Sequence, residues 1–97
     1  EPCAGLDLPH AALVMSHLRT WLTGAKNRRV LVAMHDLNLT AQFCDQVLLL
    51  GEGELLGQDR PNAVLTPNLL DRAFGPGLSC FEHPESGQRV ILAKGER

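Results

Sequence analysis

Long apolar runs are missing from this sequence. The longest reach five residues, Ala11–Met15 and Val30–Met34, far short of the roughly 18–20 that a membrane-spanning helix needs. No basic region followed by an apolar stretch opens the chain, so a secretory signal is not expected. Three cysteines, Cys3, Cys44 and Cys80, lie far apart with no Cys-x-x-Cys pair. A disulfide framework or a zinc site is therefore not expected, and reduced cytosolic thiols fit better. Neither sign of charge dominates: nine Lys and Arg stand against eleven Asp and Glu, a net charge of −2, which lacks the electrostatic footprint of a nucleic-acid-binding domain. Internal repeats, low-complexity tracts and long charge runs are absent too. What is present is ordinary globular composition, 44% hydrophobic and 21% charged over 97 residues. That is one small domain, or a piece of a larger one. The chain opens on Glu1-Pro2 rather than Met, and a preceding segment is expected.

Short-range signals divide the chain into elements. Asp7 suits the N-cap of a helix that carries Pro9 in its first turn, where no intrahelical donor is required. Ala11, Val14, Met15, Leu18 and Leu22 then recur at helical spacing, and Gly24 is placed to close the helix. Val30–Met34 is unbroken and rich in β-branched residues, the pattern of a parallel strand buried on both faces. Asp36 is a second N-cap candidate, before a short helix with Leu37, Ala41 and Cys44 on one face. Val47–Leu50 reads as another fully apolar strand, turned by Gly51-Glu52-Gly53 into a hairpin with Glu54-Leu55-Leu56. Pro61 and Pro67 each suit the first position of a helix, with Thr66 capping the second. That second helix should turn Leu70, Ala73 and Phe74 inward and stop at Gly75-Pro76-Gly77. Leu78–Glu82 and Arg89–Ala93 flank the turn-rich segment His83 to Gln88 as a second hairpin. The order begins as α/β and ends as α+β.

The chemistry-bearing residues cluster in this order at the first strand. His35-Asp36 stands at the carboxyl end of Val30–Met34, where open α/β sheets place their ligands. A carboxylate at the start of the same βαβ unit would sit at the end of the adjacent strand, because parallel crossovers return to neighbours. Glu1 and His35 can thus converge although far apart in sequence. By themselves, Glu1 reads as a solvated terminus, Asp7 as a plain helix cap and His35 as an ordinary polar residue at a strand end. His10 and His17 share a helix face without a third metal ligand. His83 belongs to a turn, Cys44 is a small core residue, Trp21 packs beside the apolar stripe, and Arg28-Arg29 forms a solvated loop.

Taken in order, Glu1-Pro2, Ala4-Gly5-Leu6-Asp7 and His35-Asp36 make the sequence similar to the C-terminal part of an ABC transporter nucleotide-binding subunit. Glu1-Pro2 matches the end of the Walker B motif, Ala4–Asp7 the D-loop and His35-Asp36 the H-loop. Leu37-Asn38, the Gly51-Glu52-Gly53 turn and Val64-Leu65-Thr66-Pro67 match the family's spacing as well. The resemblance covers essentially the whole chain. Cys3 departs from the usual Thr or Ser, and Ala4 from the common Ser. No GxxxxGK[ST] phosphate loop, no Leu-Ser-Gly-Gly signature and no magnesium-binding Walker B Asp occurs. In the family all three precede the position of Glu1.

The resemblance implies the C-terminal fragment of a RecA-like P-loop NTPase domain, α/β in class. The motif-bearing part would span residues 1–77, and residues 78–97 a C-terminal β-hairpin tail. It implies ATP hydrolysis in the intact parent, with ATP and Mg2+ bound mainly by residues outside this chain and the fragment alone inactive. Glu1 would be the general base, His35 would contact the γ-phosphate, and Asp7 would act through the D-loop at an interface between two ATPase subunits. The His-Asp-Leu-Asn, Leu-Thr-Pro and His-Pro-Glu-Ser-Gly segments look like importers of iron chelates, haem or cobalamin. The implied partners are a second ATPase subunit and membrane permease subunits, with no nucleic acid, and the place is the cytoplasmic face of the cell membrane. Two other classes share these features: a DNA-repair or translation ABC ATPase, and a non-catalytic α/β interaction module.

Overall fold

Asp7 starts the first element as its residue type dictates. In the computed structural model, which describes residues 3–94, helix α1 spans Leu8–Thr23, and the Asp7 carboxylate accepts the backbone N–H of His10 at 3.0 Å. This satisfies one of the helix's orphan donors. Ala11 and Met15 are buried, and the Cys3 thiol reaches the Ala11 carbonyl at 3.7 Å. Gly24 ends the helix with φ −77°, not in a left-handed conformation; the left-handed residue falls at Asn27, φ 68°, where an Asn is tolerated. Arg28, exposed as expected, also reaches back to the helix. Its guanidinium donates to the Trp21 carbonyl at 2.6 Å and stacks 4.6 Å from the indole centroid, a cation–π contact that also satisfies a helix-end carbonyl.

The expected buried parallel strand at Val30–Met34 does not form. The run has no regular secondary structure and belongs to neither sheet. Leu31 is 87% exposed and Val30 39%. A strand is made by cross-strand hydrogen bonds, and among the described residues no strand lies beside this run. Both sheets that do form are antiparallel hairpins.

The chain divides into two compact units between Asp36 and Leu37. The second begins at once with α2 (Leu37–Phe43). Strands β1 (Val47–Gly51) and β2 (Glu54–Asp59) follow as a two-residue hairpin in which Glu52 and Gly53 both have positive φ, 54° and 74°. That pair of left-handed residues matches the twist of the flanking strands. The register slips between Leu49 and Leu50, leaving an extra residue on β2. Val47 and Leu49 are buried while Leu48 and Leu50 are exposed, so β1 is buried on one face, as an antiparallel hairpin permits.

Helices α3 (Pro61–Val64) and α4 (Pro67–Phe74) each begin on proline, and the Thr66 hydroxyl accepts the Leu69 N–H. Leu70 is buried and Ala73 partly so, but Phe74 is 53% exposed. It was expected inward; it is the last residue of the helix, directly before the left-handed Gly75 (φ 80°) turns the chain away. Strands β3 (Leu78–Glu82) and β4 (Arg89–Ala93) pair antiparallel with Cys80 opposite Ile91, so the C-terminal hairpin forms where the sequence pattern puts it.

Two apolar clusters hold this unit together. Ala41, Leu65, Leu70 and Ile91 form one, backed by Leu37, Leu78 and Cys80. Val47, Leu49 and Val64 form the other, backed by Cys44, Leu69 and Ala73. Leu65, Leu70 and Val64 are wholly enclosed, each contributing about 1.5–3 kcal/mol by burial. Gly51 lies so close to α4 that a Cβ there would come within 2.8 Å of the Ala73 Cα. Outside, Arg72 donates to Glu52 at 2.9 Å and to Glu54 at 3.3 Å. The hydrogen bond with Glu52, then its charge, raise the pKa of this exposed guanidinium.

Candidate functional site

His35 and Asp36 follow the run Val30–Met34 directly and stand immediately before α2. His35 lies at a bend with its side chain exposed, so the imidazole is open to an incoming ligand rather than packed. Asp7 is already engaged: besides capping α1, its Oδ1 lies 2.7 Å from the His10 Nδ1. His10 is thus part of the cap and not half of a metal pair with His17. No hydrogen bond or ion pair joins Asp7 to His35 among the described residues. Glu1, the expected general base, lies outside the described residues.

The described residues do not make a magnesium site. The Asp7 carboxylate is turned to its own helix, and no group of three or more His, Cys, Asp or Glu stands ready to hold a metal ion among them. Nor does the sequence supply the glycine-rich backbone cradle that a triphosphate requires. What it offers a nucleotide is one accessible imidazole, able to donate to an anionic oxygen.

An open groove of about 670 Å³ runs within residues 1–36, lined by Val14, Leu18, Trp21, Arg29, Val30 and Leu31. It is mostly apolar and contains the run that was expected to be buried. No helix among the described residues is long and apolar enough to cross a membrane.

One residue near the site was cited from the sequence only within a family segment, with no structural role assigned. Asn38, in the first turn of α2, donates from Nδ2 to the Ile91 carbonyl at 3.0 Å and accepts the Ile91 N–H on Oδ1 at 2.8 Å. A side-chain amide spanning both groups of one residue stands in for a neighbouring strand at the open edge of β4. The sequence signal was slight: one of three polar residues, with Thr40 and Gln42, on a seven-residue helix.

No protein-family profile matches the chain. Individual relatives do. It is 37% identical to a hemin import ATP-binding protein of Pseudomonas entomophila over 94 residues, which is 97% of this chain and 36% of the relative. The protein of the same name from Pseudomonas fluorescens is 39% identical over 94 residues, again 97% of this chain and 36% of the relative. That of Rhodococcus jostii is 33% identical over 97 residues, 100% of this chain and 32% of the relative. The chain spans about a third of the length of the curated relatives it matches. These relatives bear out the resemblance to an ABC transporter ATP-binding subunit that the ordered motifs carry.

Proposed function

We propose, from this likeness, that the chain is the C-terminal segment of the ATP-hydrolysing subunit of an ABC importer. Its transport would be of haem, which the relatives' names favour over other iron chelates or cobalamin. The single observation that carries the reading is an ordered motif set, Glu1-Pro2, Leu6-Asp7 and His35-Asp36, in a chain related nearly end to end to hemin import ATP-binding proteins.

Each assigned role follows from side-chain chemistry. Hydrolysis of ATP needs positioning and charge stabilisation more than covalent chemistry. Glu1 accepts a hydrogen bond from the attacking water as general base. His35, exposed directly after the run Val30–Met34, donates to the terminal phosphate oxygen and so distinguishes ATP from ADP. Asp7 holds the D-loop by capping α1 and acts at the interface with a second ATPase subunit. Mg2+ and most of the nucleotide are held by residues outside this chain, so the chain alone does not hydrolyse ATP.

The same proposal accounts for the run that joins no sheet. Val30–Met34 becomes a strand of a RecA-like parallel sheet whose neighbouring strands come from outside the 97 residues, which explains an apolar segment with Leu31 87% exposed. Residues 1–77 carry the motifs, and the hairpin of residues 78–97 is a tail that carries none. A pair of membrane permease subunits completes the transporter at the cytoplasmic face of the membrane.

The test is paired. In the full-length protein, His35→Ala should weaken ATP-driven dimerisation and abolish turnover, while ADP affinity stays within about twofold, well below the ~1.4 kcal/mol of a tenfold change. Parallel loss of ADP binding and of several degrees in melting temperature would make His35 structural and refute its role at the phosphate.

A further inference from the structure

The backbone of Asp7 is held from both sides. Before it, the Leu6 N–H donates to the Cys3 carbonyl at 3.1 Å across a turn with Gly5 at φ 76°. The Cys3 thiol fastens that turn to the Ala11 carbonyl at 3.7 Å. After it, α1 begins, with Asp7 itself at φ −71° and ψ 168°. What such a backbone leaves undecided is the direction of the carboxylate, which turns about its own side-chain bonds.

An N-cap side chain draws on the N–H groups of the second and third helical residues. Here the second is Pro9, which has no N–H to give. One backbone donor remains, that of His10 at 3.0 Å. The His10 ring supplies another, with its Nδ1 lying 2.7 Å from the same Oδ1. An ionised carboxylate only accepts, so Nδ1 carries the hydrogen. Two donors on Oδ1 fix the plane of the group. Oδ2 receives no hydrogen bond among the described residues.

The contact is not there for strength. The His10 side chain is 69% exposed and that of Asp7 64%, and pairs so open to water contribute little to stability. The same exposure leaves the free oxygen within reach of a second molecule.

We propose that His10 is a positioning residue for Asp7, its ring fixing the carboxylate so that Oδ2 meets a hydrogen-bond donor on the second ATPase subunit. This inference rests on the proposed ATPase reading. It extends that reading to a residue outside the three motifs.

The experiment uses the full-length protein carrying His10→Ala, His10→Gln or Asp7→Ala. Three quantities are read: ATP turnover with ADP affinity, the melting temperature, and the nitrogen resonances of the His10 ring. His10→Ala removes the ring and keeps the backbone N–H that caps α1. It should lower kcat about fivefold, with ADP affinity within about twofold and the melting temperature within about 2 °C of the parent. His10→Gln returns a neutral donor at the same position and should recover most of the lost turnover. In alkaline solution, where imidazole is neutral, the parent's His10 should carry its proton on Nδ1, because the hydrogen bond sets the tautomer. Asp7→Ala should release it from that nitrogen.

Unchanged turnover in His10→Ala would overturn the proposal. So would turnover that falls only in step with the melting temperature, which would make the ring part of the cap alone. A lack of recovery in His10→Gln would overturn it too, since the donor would then not be what matters. If the unmodified protein turns over no ATP, the ATPase reading fails by itself. The ring then decides the tie to Asp7: a proton on Nδ1 that Asp7→Ala releases supports it, and a proton on Nε2 in the parent refutes it.

Discussion

In residues 37–94 every strand has its partner a short turn away, whereas the apolar run Val30–Met34 in the preceding unit joins no sheet among the described residues. The two regions are similarly apolar in sequence. They differ in where their hydrogen-bond partners come from. β1 finds β2 across Glu52-Gly53, and β3 finds β4 across a six-residue loop. A parallel strand cannot do this, since its neighbour arrives only after a crossover of a dozen or more residues. Hairpins close locally; a parallel strand depends on the rest of its sheet. The second unit accordingly buries Leu65 and Leu70 almost completely, while the first leaves Leu31 in the open.

The sharpest way to break this contrast is to truncate one leucine in each region. Leu70→Ala should destabilise the 97-residue chain by about 2–5 kcal/mol, since it empties an enclosed site. Leu31→Ala should change it by no more than about 0.5 kcal/mol, as for other surface positions. In the full-length protein the Leu31 effect should rise toward that of Leu70. Denaturant unfolding of both variants in both lengths measures this, and a Leu31 effect that stays small in the longer protein would rule out a buried strand at Val30–Met34.

A smaller effect tests the second unit alone. Gly51→Ala should cost about 1–3 kcal/mol by forcing β1 away from α4, because its Cβ would meet the Ala73 backbone at 2.8 Å. A melting temperature equal to the parent's would show that the hairpin and helix have room to separate.

The smallest effect belongs to the first unit. Asp7→Ala should lose about 1 kcal/mol through the α1 cap, and Asp7→Asn should lose little of it, since Asn caps as well as Asp. Thermal unfolding separates the two variants. If Asp7→Asn keeps stability but loses turnover in the full-length protein, the carboxylate has a role at the subunit interface beyond the cap.

What could be read from the sequence follows the same division. The turn at Gly51-Glu52-Gly53, the caps at Asp7 and Thr66, and the prolines opening α3 and α4 are all decided within a few residues, and each stands where its chemistry puts it. The run Val30–Met34 was legible as apolar and β-branched, but the buried parallel strand expected there does not form among the described residues. Phe74 was misplaced because helical spacing says nothing about a residue at the point where Gly75 turns the chain away. Arg28 is exposed as expected, and its stacking on Trp21 went unread because that partner lies across a loop. Asn38 was noted only as part of a family segment, because its hydrogen-bond partners lie on a strand edge 53 residues away. At the site, His35 was expected at a strand end, but the strand does not form and His35 lies exposed at a bend, while the cap that occupies Asp7 includes a His10 contact no motif specified.

The central claim is that this chain supplies the general base and phosphate sensor of an ATP-hydrolysing importer subunit, and Glu1 tests it most directly. Glu1→Gln in the full-length protein keeps the shape and hydrogen-bonding capacity of the side chain but removes its basicity. Turnover should fall by about 10²–10⁴-fold, roughly 3–5 kcal/mol of barrier, with ATP affinity retained and an ATP-bound dimer accumulating. Near-parental turnover in the same preparation would contradict the account.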